Sequence, residues 1–121
     1  MKTFMAVYTG DPAAFEKWQH AHPDPKQRDE MERDGMQAWM KWGETHARST
    51  VDNGSPLGKT KRINKHGISD VRNNLAGYTI VKAESQDAAA RMFINHPHFT
   101  IFPGDAVEIM ECLPMPTVAP A

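Results

Sequence analysis

Three runs of this chain are apolar at odd and even positions alike. They are KTFMAVY from Lys2 to Tyr8, LAGYTIVKA from Leu75 to Ala83, and DAVEIMECL from Asp105 to Leu113. Period-two side chains point to opposite faces of a sheet, so strands like these need cover on both sides. Phe4, Ala6 and Tyr8 alternate with Met5 and Val7, Tyr78 and Ile80 with Thr79 and Val81, and Val107 and Ile109 with Ala106 and Met110. Helices can hide one face; something else must meet the other.

The helices are legible from their starts. Asp11-Pro12 places a capping carboxylate before a proline at the first helical position, predicting a short helix from Pro12 to about His20. From Pro25 to about Ala47 the period is 3.6: Met31, Gly35, Ala38, Trp39, Trp42 and His46 share one arc, while Arg28, Glu32, Lys41 and Glu44 take the other side. Ser85 predicts the cap of a third helix over QDAAARMFI, with Asp87 in its first turn. A second strand is expected in SPLGKTKRI, Ser55 to Ile63, followed by a polar loop, NKHGISDVRNN.

The order β-α-β-β-α-β, with a two-part first helix, defines an α+β, ferredoxin-like chain. It predicts a four-stranded antiparallel sheet with helices on one face. At 121 residues there is room for one domain, set at 1–114, with a Pro- and Ala-rich tail over 115–121 expected to be extended or disordered. The uncovered sheet face presents roughly 300 Å² of plane. Its burial is worth at most about 8 kcal/mol, against an association cost of roughly 4 to 15 kcal/mol. A homodimer with sheet facing sheet, helped by further contacts, is the expected cover.

Charge excludes more than it identifies. Fourteen Lys+Arg against fifteen Asp+Glu leave a net charge of -1, which gives no general attraction to nucleic acid or to an anionic membrane. The basic run GKTKRINKH, Gly58 to His66, reads as a solvated hairpin. No apolar stretch is long enough to span a bilayer and the first residues do not read as a signal peptide, so a cytoplasmic location is expected. The single cysteine, Cys112, cannot form an internal disulfide and is expected to be buried.

Several residues could carry chemistry. His46 shares its arc with Trp39 and Trp42 near a helix end, and Asp52 follows across a turn, so a His46/Asp52 general acid–base pair against an indole wall is one reading. The other is a histidine at the core edge beside a turn-forming aspartate. His96 and His98 bracket Pro97, which is expected to stop a helix; His98 and Phe99 then enter a loop that can line a ligand cleft. The spaced pairs His20/His22 and His96/His98 lack the further ligands of a metal site, and no nucleotide or cofactor motif is present, so no metal and no cofactor are expected. Glu108 is expected to be solvated.

The segments ISDVRNNLAGYTIVKAESQDAAARMF and GDAVEIMECLPMP resemble the YCII-related family and its DGPF-type relatives, small dimeric α+β barrel proteins. The shared features are Asp70 in a loop, Gly77-Tyr78 opening a strand, Ala88 to Ala90 in a helix, and Gly104 through Ile109 at the last strand. VDNGSPLGK resembles the family's Gly-Pro-Leu segment, and the likeness extends over roughly residues 36 to 114. It implies a homodimer and, for members that have one, a His/Asp pair in a cleft; a dehydrochlorinase-like activity on chlorinated aromatics is known in the wider group. This chain has Gly35 or Met36 where the family places its histidine, and SDVRNN where relatives carry a fuller DGPF loop. The functional expectation is a small-molecule-binding dimer, a lyase or hydrolase using His46 and Asp52 with Trp39, Trp42, His98 and Phe99 at the ligand. The alternative is a non-catalytic ligand-binding or protein-interaction module with structural histidines.

Overall fold

A computed structural model describes residues 1–117 of the chain. Its central strand, β1 (Lys2–Thr9), buries Phe4, Ala6 and Tyr8 on one face, as the alternation requires. Asp11 and Asp24 each end an extended segment and accept from the backbone N–H two residues on, at 2.9 and 3.0 Å. These caps start α1 (Pro12–Ala21) and α2 (Pro25–Thr45), each with proline at its first position. On α2, Gly35 is buried and Met31, Ala38, Trp39, Trp42 and His46 are half-buried, the arc expected from the 3.6 period.

A single 3-10 turn, Ala47–Ser49, leads into β2 (Thr50–Asp52). Next come β3 (Thr60–Asn64) and β4 (Gly67–Val71), then β5 (Leu75–Ala83), α3 (Gln86–Arg91), α4 (Pro97–Thr100) and β6 (Ala106–Glu111). The main sheet has the order β2-β5-β1-β6 with every pair antiparallel, the ferredoxin-like arrangement. The core lies on its helix-facing side, where Phe4, Ala6, Tyr8, Val81, Ala83, Ala89 and Phe93 are packed by Trp39, Trp42, Val107 and Ile109.

The second strand is not where the sequence placed it. Thr50–Asp52 pairs with β5, while Ser55–Ile63 contributes only an isolated bridge, Pro56 to Gly77, to that sheet. Gly54 takes a left-handed φ of 66° and Pro56 has no N–H to give a ladder, so pairing stops after three residues. The expected polar loop is instead half of a hairpin. β3 and β4 form their own two-stranded sheet, turned by Asn64 accepting from His66 N–H at 2.9 Å and by Gly67 at φ 117°. The basic run is thus the solvated hairpin expected of it, with Ile63 and Ile68 paired and about 70% exposed.

Ser85 caps α3, its hydroxyl accepting from Ala88 N–H at 3.0 Å. That helix ends at Arg91 rather than Ile94, and the chain turns through Asn95 at φ 59°. Pro97 therefore does not stop a helix: it opens α4. His98 and Phe99 lie in that short helix, not in a loop. Cys112 is exposed just beyond β6, correcting the expected buried thiol, and Glu108 is exposed. On the sheet face opposite the core, Ile80, Met5 and Met110 fall in register as one row, with Tyr78, Val7 and Glu108 as the next. No helix of the described residues is long and apolar enough to cross a membrane. The tail shows neither helix nor strand through Thr117, and residues 118–121, on which the rest of that expectation falls, lie outside the described residues.

Candidate functional site

The β1 strand ends at Tyr8 and Thr9, against α4. His98, buried in that helix, sets its Nε2 at 2.7 Å from the Thr9 carbonyl oxygen. A carbonyl only accepts, so Nε2 carries the proton and Nδ1 is left with a lone pair. Among the described residues, Nδ1 has no hydrogen-bond partner, yet it is not one of the sealed, unsatisfied atoms. His98 is thus an imidazole of fixed tautomer whose Nδ1 is uncommitted among the described residues.

His96 shapes this arrangement. It is wholly buried and caps α4, its Nδ1 accepting from the His98 N–H at 3.0 Å. That leaves a proton on Nε2, which is buried with no partner. Trp39 and Trp42 pack against the His96 ring in edge-type geometry, with centroids 4.5 and 4.8 Å away. Burial lowers the His96 pKa to about 4, with the nearby His98 and His46 acting in the same direction, so the ring is neutral at pH 7.

A cavity of about 390 Å³ opens beside His98. It is lined by Trp39 and Met36 of α2, Tyr8 of β1, Ala76, Gly77 and Tyr78 of β5, Phe102 and the Asn53–Pro56 loop. Thr79 Oγ1 lies 2.8 Å from the Tyr8 hydroxyl and donates to the Asn53 carbonyl at 3.3 Å, so Tyr8 is the donor to Thr79. Burial raises the Tyr8 pKa and the Thr79 bond opposes this only in part, so Tyr8 remains a phenol. Two glycines allow the geometry. A Cβ at Gly54 would run into the Tyr78 carbonyl, and one at Gly104 would run into the His98 ring and lie 2.5 Å from its carbonyl oxygen.

The sequence-derived residues are only partly gathered here. Trp39 and His98 line the cavity. Trp42 instead ties α2 to the turn after α3, its Nε1–H donating to Met92 O at 2.8 Å. Phe99 is 37% exposed and lines neither this cavity nor its neighbours; Phe102 takes the position expected of it. His46 packs beside Trp42 with ring centroids 4.8 Å apart and the planes tilted, half-buried, at the end of α2. Asp52 is exposed and accepts from Gly54 N–H at 2.8 Å, a turn-forming role. Among the described residues no hydrogen bond or ion pair joins His46 to Asp52. No group of three or more His, Cys, Asp or Glu comes together among them in a way that could hold a metal.

Tyr8, Tyr78, Asn53 and Phe102 were missed in the sequence. The available signals were the glycines: Gly54 and Gly77 flank the cavity, and Gly104 backs its histidine.

The fold is that of an α+β, ferredoxin-like protein, a four-stranded antiparallel sheet with its core under the helices. Among solved structures, it is similar to the 5-chloro-2-hydroxyhydroquinone dehydrochlorinase TftG from Burkholderia phenoliruptrix, determined in complex with 2,5-dihydroxybenzoquinone. The TM-score is 0.53 and the identity 16%, over 89% of this chain and 90% of that one, a likeness of fold. No family model matches the chain, and no curated protein does.

Proposed function

We propose that this protein binds a small, flat, largely apolar molecule in the cavity beside His98, and that His98 Nδ1 serves as its acid–base group in a lyase-type elimination. One observation carries the reading: the Thr9 carbonyl holds His98 as the Nε2–H tautomer, leaving Nδ1 without a hydrogen-bond partner among the described residues, on a residue that lines an aromatic cavity. Withdrawing a proton from a bound ring and returning one to the leaving side needs such a group within hydrogen-bond reach. Apolar walls with few polar contacts are the usual composition of a small-molecule pocket. The similarity of fold to a dehydrochlorinase is consistent with this chemistry.

The reading includes a homodimer, the Ile80–Met5–Met110 row being covered by the same row of a second copy. It moves the acid–base role from His46 to His98, because Asp52 is committed to its own turn. That commitment also favours the other reading, a binding module without chemistry, since no carboxylate orients a histidine here. Titration with 2,5-dihydroxybenzoquinone tests binding, with Trp39→Ala expected to abolish it. Turnover of a chlorinated hydroquinone by the wild type and none by His98→Gln supports the lyase. Binding without turnover leaves the module, and no binding by the wild type overturns both.

A further inference from the structure

The cavity beside His98 has a neighbour. His98, Phe102, Pro56 and Ala76 also line a second, wider cleft of about 1260 Å³, so the two spaces share a wall and a histidine. The far side of the wide cleft is the β3–β4 hairpin, which contributes Lys59, Lys61, Asp70 and Arg72. Lys61 and Asp70 are opposite each other in the ladder, and the lysine Nζ lies 2.7 Å from the carboxylate. Thr60 and Val71 form the last pair, and one step beyond it stand Lys59 and Arg72. The strands stay together at that point, because Asn73 Nδ2 donates to Thr60 Oγ1 at 3.1 Å.

Two cations that flank the open end of a hairpin repel when they come close, an arrangement that costs rather than stabilises. Lys59 and Arg72 flank the end of the ladder and line the same cleft as Lys61 and Asp70. Among the described residues, no carboxylate pairs with either Lys59 or Arg72. Asp70 is held by Lys61, and the other lining carboxylate, Asp11, accepts from Ala13 N–H as the cap of α1. Neither Lys59 nor Arg72 forms an ion pair among the described residues. An elsewhere near-neutral chain thus concentrates uncompensated positive charge at one wall of a cleft that leads to its aromatic cavity.

We infer that this wall is an anion subsite: the ligand carries a carboxylate, sulfonate or phosphate that sits between Lys59 and Arg72, while its ring enters the cavity beside His98. The inference rests on the small-molecule reading above and narrows its ligand to an acidic one. A guanidinium beside an ammonium suits a tetrahedral or planar anion, the former by paired N–H donors and the latter as a point charge. The hairpin then has a purpose that solvation alone does not supply.

Amide-resolved NMR titration of the full chain with hydroquinone, 2,5-dihydroxybenzoate and inorganic sulfate tests it. Hydroquinone is expected to move Gly77 and His98 only, sulfate Lys59 and Arg72 only, and dihydroxybenzoate both sets. The carboxylated ring should bind about tenfold more tightly than the neutral one. That advantage should vanish in Lys59→Gln/Arg72→Gln and shrink in high salt, with hydroquinone binding unchanged. If hydroquinone binds but the carboxylate brings no gain and sulfate leaves Lys59 and Arg72 unmoved, the subsite is overturned and the cavity reading stands. If sulfate moves the hairpin while neither ring reaches Gly77 or His98, the cavity reading falls and a bare anion site remains. Equal weakening of both rings by the double variant also overturns the subsite.

Discussion

His98 Nε2 meets the Thr9 carbonyl at 2.7 Å across 89 residues of chain, pinning the short helix α4 to the end of the central strand. Both are buried, and a buried carbonyl stripped of its donor costs roughly 1 to 3 kcal/mol. His98→Ala should therefore destabilise the fold by about 2 to 4 kcal/mol, once the lost ring volume is included. The amide nitrogen of a glutamine can stand near the place of Nε2, so His98→Gln should cost about 1 kcal/mol while deleting the basic nitrogen. Urea denaturation of both variants checks this. Equal losses would show that the Thr9 bond is not what the histidine contributes.

His96 gives the fold a pH dependence of known sign. Its pKa is lowered to about 4 in the folded protein, against 6.5 for an ordinary imidazole. Between those values the unfolded chain binds a proton that the folded one refuses, so stability falls as pH drops through that window. Above pH 6.5 the group contributes no slope. Asparagine can replace the ring as cap, its side-chain oxygen accepting from the His98 N–H, and cannot titrate. Wild type should lose up to about 1.4 kcal/mol per pH unit more than His96→Asn as pH is lowered through the window. Denaturation midpoints at several pH values measure this, and parallel profiles would refute it.

How far the sequence could lead is visible in these two histidines. The strands β1, β5 and β6 and the capped helices follow from local rules, because Asp-Pro and Ser caps and two-residue alternation act within a few residues. The edge strand was misplaced because Gly54 and Pro56 end its pairing, while the hairpin beyond is held only by its own ladder. The site was harder still. His46 and Asp52 are close in the chain and attracted the acid–base reading, but a nearby turn captured the carboxylate. What orients His98 is a strand carbonyl 89 positions earlier, a partner no periodicity reveals. Phe99 and Phe102 are the same residue type three apart, and the α4 turn decides which one faces the cavity.

Gly104 abuts the same ring at its Nε2 edge. A methyl there would collide with the His98 imidazole and press on its carbonyl at 2.5 Å, and neither the ring nor that backbone is free to withdraw. Forced overpacking of this kind costs roughly 1 to 3 kcal/mol. Gly104→Ala should lower the melting temperature and weaken ligand binding together, because relief requires moving His98 away from Thr9. Gly43, which has nothing within 4 Å of the added methyl, is the control. It sits inside α2, where alanine is favoured over glycine by up to about 1 kcal/mol, so Gly43→Ala should be neutral or stabilising.

The row Ile80–Met5–Met110 carries the proposed dimer, and Met110 is its most accessible member at 46% exposure. Met110→Glu would set a second carboxylate two residues from Glu108 on the same face. In a monomer this surface change should alter stability by no more than about 0.5 kcal/mol. Across a two-fold interface each charge would meet its own copy in a desolvated sheet, and like-charge contacts there cost several kcal/mol. Sedimentation should find the wild type at twice 13.6 kDa and Met110→Glu at 13.6 kDa, with unchanged far-ultraviolet dichroism. A wild type that stays at 13.6 kDa at high concentration would mean the apolar row needs no second copy, and its cover would have to be sought elsewhere.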